Sequence, residues 1–160
     1  MNERELLFGA VREGLELPPL AQAVTATTIV LGAMASRDWR PMHHDRDFAV
    51  QRNGVRDIFL NTPAQAAWFE RFITDWSGPR GRIGRMKFSM KNSIFPGDTM
   101  TFSGRVTALE QAQGQGFGWV DLALAIQVGP RLATECRARV ALPVSARDNP
   151  WLCKGSAWAP

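Results

Sequence analysis

The chain has 160 residues, 45% of them hydrophobic and 21% charged, the composition of one globular domain rather than of a fibrous or disordered segment. No apolar run approaches the roughly 18–20 residues a membrane span needs. The opening stretch "MNERELLFGAVREG" carries charges inside its apolar part, unlike a signal peptide, so a cytoplasmic location is expected. A net charge of +4 admits anionic partners, but the basic residues are scattered and accompany no recognition motif; neither nucleic acid nor membrane is expected as a partner.

In chain order, "GLELPPL" (14–20) reads as an extended leading segment, because the Pro18-Pro19 pair forbids helix. "AVTATTIVLGAMA" (23–35) opens with β-branched residues and is predicted as a strand running into a short helical piece. Asp45 is predicted to cap a short helix over "RDFAVQ". The stretch "NTPAQAAWFERFITDWSGP" predicts a long helix with Thr62 as N-cap and Pro63 in its first turn. Ala66, Phe69, Ile73 and Trp76 form one face, widened by Trp68 and Phe72, while Glu70, Arg71 and Asp75 fill the remainder. Ser77-Gly78-Pro79 stops it. An apolar face this wide requires a helix largely wrapped by sheet.

The period then switches to two. Met86, Phe88 and Met90 alternate with Arg85, Lys87, Ser89 and Lys91, and "PGD" at 96–98 makes a turn. Met100, Phe102 and Val106 come next, then Val120, Leu122, Leu124, Ile126 and Val128, then Leu132 to Leu142 in the same phase. Four consecutive strands with short Gly/Pro links predict an antiparallel meander and an α+β plan, a curved sheet around one helix. The tail "SARDNPWLCKGSAWAP" loses periodicity; its Trp151 and Trp158 would pack on this chain or on a partner subunit.

The candidate chemistry lies in "MASRDWRPMHHDRDFAV" (34–50), which holds the only two histidines, side by side. The stretch is either a polar loop with a helix start or a proton-transfer site. Asp38 and His43 could share one water on a loop that folds back, with Pro41 restricting Arg40 to extended geometry. His44 is expected to face solvent. Adjacent histidines diverge, no third ligand is near, and Cys136 and Cys153 lack C-x-x-C spacing, so no metal site is expected. About twenty residues on, the helix N-terminus near Asn61 and Thr62 offers N–H groups to polarise a carbonyl oxygen. That combination suits adding water to a conjugated carbonyl compound.

"ASRDWRPMHHDRDFA" resembles the signature of the MaoC-like hydratases, in which S-G-D-x-N-P-I/L-H precedes five residues and a small one. The chain matches through Ser36, Asp38, Pro41, Met42, His43 and Ala49, and departs from the motif at Arg37 for glycine and Arg40 for asparagine. "GLELPPL" and "FPGDTMTFSGRVT" also look like the family, and the resemblance covers roughly residues 8–143 of a single domain spanning 1–160, with a tail at 144–160. It implies a hotdog fold and hydration of a trans-2-enoyl-CoA to the (R)-3-hydroxyacyl-CoA, or the reverse dehydration, without a cofactor. It carries the catalytic aspartate onto Asp38 and the histidine onto His43. The thioester-binding N–H falls near Asn61, where Leu60-Asn61 replaces the family's His-Gly pair. The resemblance also implies a homodimer, or a heteromer with another hotdog subunit of the kind that acts on bulky acyl groups such as steroid side chains. Trp39, Phe59 and Trp68 are then candidates to line an acyl tunnel, Arg40 a candidate substrate contact, and the basic cluster Arg80, Arg82, Arg85 and Lys87 a candidate for the CoA phosphates. Two alternatives remain open: a thioesterase, which needs a carboxylate on the helix (Glu70 is available), and a non-catalytic accessory subunit.

Overall fold

The computed structural model describes residues 5–112 and 114–160; Met1–Arg4 of the opening stretch fall outside it. A short strand, β1 (Leu20–Ala23), leads into α1 (Ala26–Ala35), then α2 (Arg46–Asn53) and the long α3 (Thr62–Ser77). Four longer strands follow: β2 (Arg82–Met90), β3 (Thr99–Ala112), β4 (Phe117–Val128) and β5 (Arg131–Pro143). All five strands form one antiparallel sheet in the order β1-β3-β4-β5-β2.

The sheet curves around α3, as the periodicity implied. Phe69, Phe72 and Ile73 are buried on α3, and Met100, Phe102, Val106, Val120, Leu122, Leu124, Ile126, Ala138 and Val140 face them from the strands. Phe102 sits at the centre, with ring centroids 5.7 Å from both Phe69 and Phe72 and 6.3 Å from Trp68. Burying one such ring contributes about 1.5–3 kcal/mol, so this cluster anchors helix to sheet. Trp68 and Trp76 are half-buried at its margin.

Two elements differ from expectation. The strand foreseen from residue 23 lies earlier and ends there; Thr25 instead caps α1 in a reciprocal box with Thr28, and the β-branched run becomes helix. β-branched residues cost only tenths of a kcal/mol each in a helix, less than Ile29 and Ala33 gain by burial on the core. The meander is also incomplete: β2 pairs with β5 at the far edge, not with its successor β3. Residues 91–98 make the crossing. Eight extended residues reach about 26 Å, ample for the roughly 14 Å of three strand spacings. This link passes the start of α3, where the N–H of Leu60 donates to Ile94 O at 2.9 Å, and it buries Ile94 completely.

The leading segment is extended along β3, with Leu17 N donating to Gly104 O at 2.8 Å. In the tail, Trp158 packs on Trp119 and Phe117 of the same chain with centroids 4.8 and 5.8 Å apart, while Trp151 is exposed. No helix among the described residues is long and apolar enough to cross a membrane.

Candidate active site

Three chain segments converge at the N-terminus of α3. The first is the end of α1. Arg37 N donates to Met34 O at 3.1 Å and Asp38 N to Ala33 O at 2.8 Å, the paired closure of a Schellman motif. This closure needs a left-handed residue at Arg37, whose φ is 53°, the conformation a glycine adopts without strain. The motif's glycine position is thus explained by its backbone, although arginine fills it here. Asp38 follows immediately, so a helix-stop geometry aims its carboxylate. Gly32 brings this end close to α3: a Cβ there would lie 2.9 Å from the Ala64 Cβ.

The second segment is a 3₁₀ turn, Pro41–His43, which buries His43. The ring Nδ1 lies 2.7 Å from Phe59 O. A carbonyl only accepts, so Nδ1 carries the proton and Nε2 presents a lone pair in the neutral ring. Nε2 is buried without a hydrogen-bond partner among the described residues and lies 3.4 Å from Asp38 Oδ2. The Phe59 ring packs edge-on against the imidazole at 5.0 Å and fixes its plane. His44 is exposed, its Nε2 3.3 Å from Trp39 O, and Asp45 caps α2 through Phe48 N at 3.0 Å, both as expected.

The third segment is the start of α3, where the N-cap is Asn61, one residue before the predicted Thr62. Its side-chain oxygen accepts from Ala64 N at 3.2 Å, and its Nδ2 donates to Ser36 Oγ at 2.8 Å and Asp38 Oδ2 at 3.0 Å. One buried amide therefore starts the helix and ties it to the carboxylate. Thr62 is the first helical residue, so its N–H has no acceptor within its own helix, and Pro63 has none to offer. Among the described residues the N–H groups of Asn61 and Thr62 meet no acceptor, and they lie where the helix dipole is positive.

Arg40 grips Asp38 bidentately, Nε on Oδ1 and Nη2 on Oδ2, both at 2.8 Å. That guanidinium, with smaller help from Asn61 and His43, holds the Asp38 carboxyl well below the usual carboxylate range despite its burial. Asp38 is an anion at any working pH.

A cavity of about 300 Å³ opens beside the pair, lined by Arg40, Met42, His43, Phe59, Asn61, Thr62 and Gln65 and by Met90–Ser93, where β2 passes into the crossing link. Five of the sequence-predicted residues, Arg40, His43, Phe59, Asn61 and Thr62, reach it, and Asp38 touches it through His43. Others do not. Trp39 is 66% exposed beside the site, and Trp68 belongs to the core margin. Arg85 and Lys87 lie exposed on the outer face of β2. Two cations of the basic cluster are engaged by their own chain: Arg80 pairs with Glu5, and Arg82 donates to Pro150 O and Cys153 O and lies 3.6 Å from the Trp158 ring centre. Lys91 is the lysine that lines the cavity, and Gln65, Met90 and Ser36 complete a setting that periodicity does not reveal. Only the preference of asparagine for N-caps, ahead of threonine, could have signalled the side-chain role of Asn61. Among the described residues no three His, Cys, Asp or Glu side chains gather as a metal site would require.

A comparison with models of protein families finds no match. The chain is 41% identical over 96 residues to the 3-oxo-4,17-pregnadiene-20-carboxyl-CoA hydratase beta subunit of Mycobacterium tuberculosis, an overlap of 60% of this chain and 74% of that one. Its fold matches a chain of the ChsH1–ChsH2 complex from the same organism with a TM-score of 0.74 and 30% identity, covering 82% of this chain and 98% of that one. The (R)-hydratase from A. caviae involved in PHA biosynthesis shares the fold at a TM-score of 0.70 and 24% identity, over 84% and 98% of the two chains. With a curved sheet around one helix, and with an aspartate and a histidine meeting at that helix's start, the chain belongs to the MaoC-like hydratases of the hotdog fold.

Proposed function

We propose that this chain adds water across the double bond of a trans-2-enoyl-CoA, or removes it from the 3-hydroxyacyl-CoA, with Asp38 and His43 as the working pair. The observation that carries this reading is the unpartnered Nε2 of His43, held 3.4 Å from Asp38 Oδ2 while Nδ1 is committed to Phe59 O. Two groups at that spacing can hold one water between them at ordinary hydrogen-bond length. Asp38, already bound by four N–H donors, is a poor proton acceptor and orients the water; His43 takes its proton. The oxygen adds to C3, and negative charge moves to the thioester oxygen, where the N–H groups of Asn61 and Thr62 can receive it. His43 then returns the proton to C2. Protons balance within the pair, and the conjugated thioester is its own electron sink, so no step calls for a cofactor.

Lys91, which lines the cavity and is not committed to Asp38, is a candidate cation for the CoA phosphates. Arg85 and Lys87 reach them only if the nucleotide end lies along β2. The relative's beta-subunit status and the two-subunit neighbour support a bulky acyl group and a second hotdog subunit for this chain as well. Thioester hydrolysis is disfavoured because Glu70 is exposed and absent from the cavity wall. An accessory, non-catalytic role is disfavoured by the intact Asp38–His43 geometry.

The test is loss of enoyl-thioester absorbance with crotonyl-CoA and with a bulky enoyl-CoA, for the chain alone and with a hotdog partner. Asp38→Asn and His43→Ala should each slow hydration at least about a hundredfold. The double variant should lose little more, since the two act as a unit. His44→Ala should match the wild type. Near-normal rates in either single variant, with folding intact, would sink the assignment.

A further inference from the structure

The hydratase reading leaves one feature unused. Arg40 is 60% exposed at the cavity rim, yet its guanidinium takes both oxygens of the Asp38 carboxylate. An uncompensated carboxylate 3.4 Å from Nε2 would favour the imidazolium, which cannot accept a proton from water. A cation locked onto that carboxylate removes much of the bias.

We infer, resting on the hydratase reading, that Arg40 is a positioning residue for the reaction: its fork balances the charge of the Asp38 carboxylate that faces His43 Nε2, and the imidazole takes the proton of the water alone. The surroundings offer no substitute. The end of α1 contributes neutral Ser36 and exposed Arg37, and α3 contributes neutral Asn61 and Gln65. Lys91, the first residue of the crossing link, is paired with Glu135 at 3.2 Å, and His44 turns to Trp39 O. Among the described residues Arg40 is the only Lys or Arg side chain in hydrogen-bond contact with Asp38.

The test compares Arg40→Gln and Arg40→Lys in the full chain. Proton NMR follows the two histidine rings without substrate, with His44→Ala to assign them, and the pH profile of kcat/KM is recorded in parallel. In Arg40→Gln the His43 midpoint and the acid limb should both move to higher pH by at least about half a unit; solvent screening of an exposed cation argues against a much larger step. That is about a threefold loss of rate on the acid limb. Arg40→Lys keeps the charge while losing the fork, and should stay within about 0.2 units of wild type. An unmoved midpoint in Arg40→Gln, or an equal shift in Arg40→Lys, overturns the inference. A uniform loss of kcat at every pH with no shift overturns it too, since that marks a purely structural role. The NMR arm decides about Arg40 whether or not the chain hydrates enoyl-CoA, whereas unimpaired turnover in His43→Ala would remove the hydratase reading separately.

Discussion

Asn61 should be the most costly single side chain to alter at the site, and two substitutions separate its tasks. It is 1% exposed, accepts from Ala64 N and donates to Ser36 Oγ and Asp38 Oδ2. Asn61→Ala removes the cap, worth about 1 kcal/mol. It also removes a hydrogen bond to a charged group, about 1.5–3 kcal/mol, and one to a hydroxyl, about 1 kcal/mol. The expected loss is about 4 kcal/mol, a large part of a typical domain's stability and roughly 8–16 °C in Tm. Asn61→Asp keeps an acceptor for Ala64 N and adds a favourable charge at the helix start. It loses both donors, however, and sets a second carboxylate where an amide now meets Asp38 at 3.0 Å.

The pH dependence follows from that pair. Two carboxylates so close cannot both ionise cheaply, so the folded variant keeps one proton that the unfolded chain loses above about pH 4. Its stability therefore falls as pH rises through the raised folded value. Wild-type Asp38 is shifted the other way, so its contribution is complete throughout pH 5–8 and lost only in stronger acid. Urea unfolding at pH 5, 6.5 and 8 should show the deficit of Asn61→Asp growing by about 1 kcal/mol or more toward pH 8, with that of Asn61→Ala unchanged. A cost below about 1 kcal/mol for Asn61→Ala, or a deficit of Asn61→Asp independent of pH, would refute the reasoning.

Arg37→Gly should stabilise the protein: a left-handed non-glycine costs about 1–2 kcal/mol, glycine's extra unfolded freedom returns about 0.5–1, and Tm should rise by about 1–4 °C. Arg37→Ala, strained like arginine, should show no rise, and an equal gain in both variants would locate the effect elsewhere. The unpaired outer edge of β2 invites another strand, so light scattering should find the chain as a homodimer or joined to a second hotdog subunit; an active monodisperse monomer would refute this.

Local rules made much of this molecule legible. The three-and-four spacing of Phe69, Phe72 and Ile73 marked α3 as a core helix, and alternation from Met86 to Leu142 marked the long strands, because burial on one face writes itself into periodicity. Asp45, the Gly78 stop and the turn at Gly97 were legible because each rests on one residue's own preference. The pair Asp38 and His43 was legible through motif spacing, since both lie on one short stretch.

What the one-dimensional pattern determined was therefore the class of fold, the wrapped helix and the two residues at its mouth. Tertiary structure alone decided the rest. The order of strands depended on residues 91–98 crossing the helix start, and strand patterning is identical whether β2 lies beside β3 or beside β5. The early β-branched run became helix because Ile29 and Ala33 found the core. Arg82 looked like a free cation until the tail folded back over it. Asn61 was legible as a backbone N–H donor at the helix start, yet its side chain joins Ser36 and Asp38 from more than twenty residues away. The common reason is range. Periodicity and capping report on what a residue does with its neighbours in the chain, while a site's charge and hydrogen bonding are set by partners that meet only when distant segments pack.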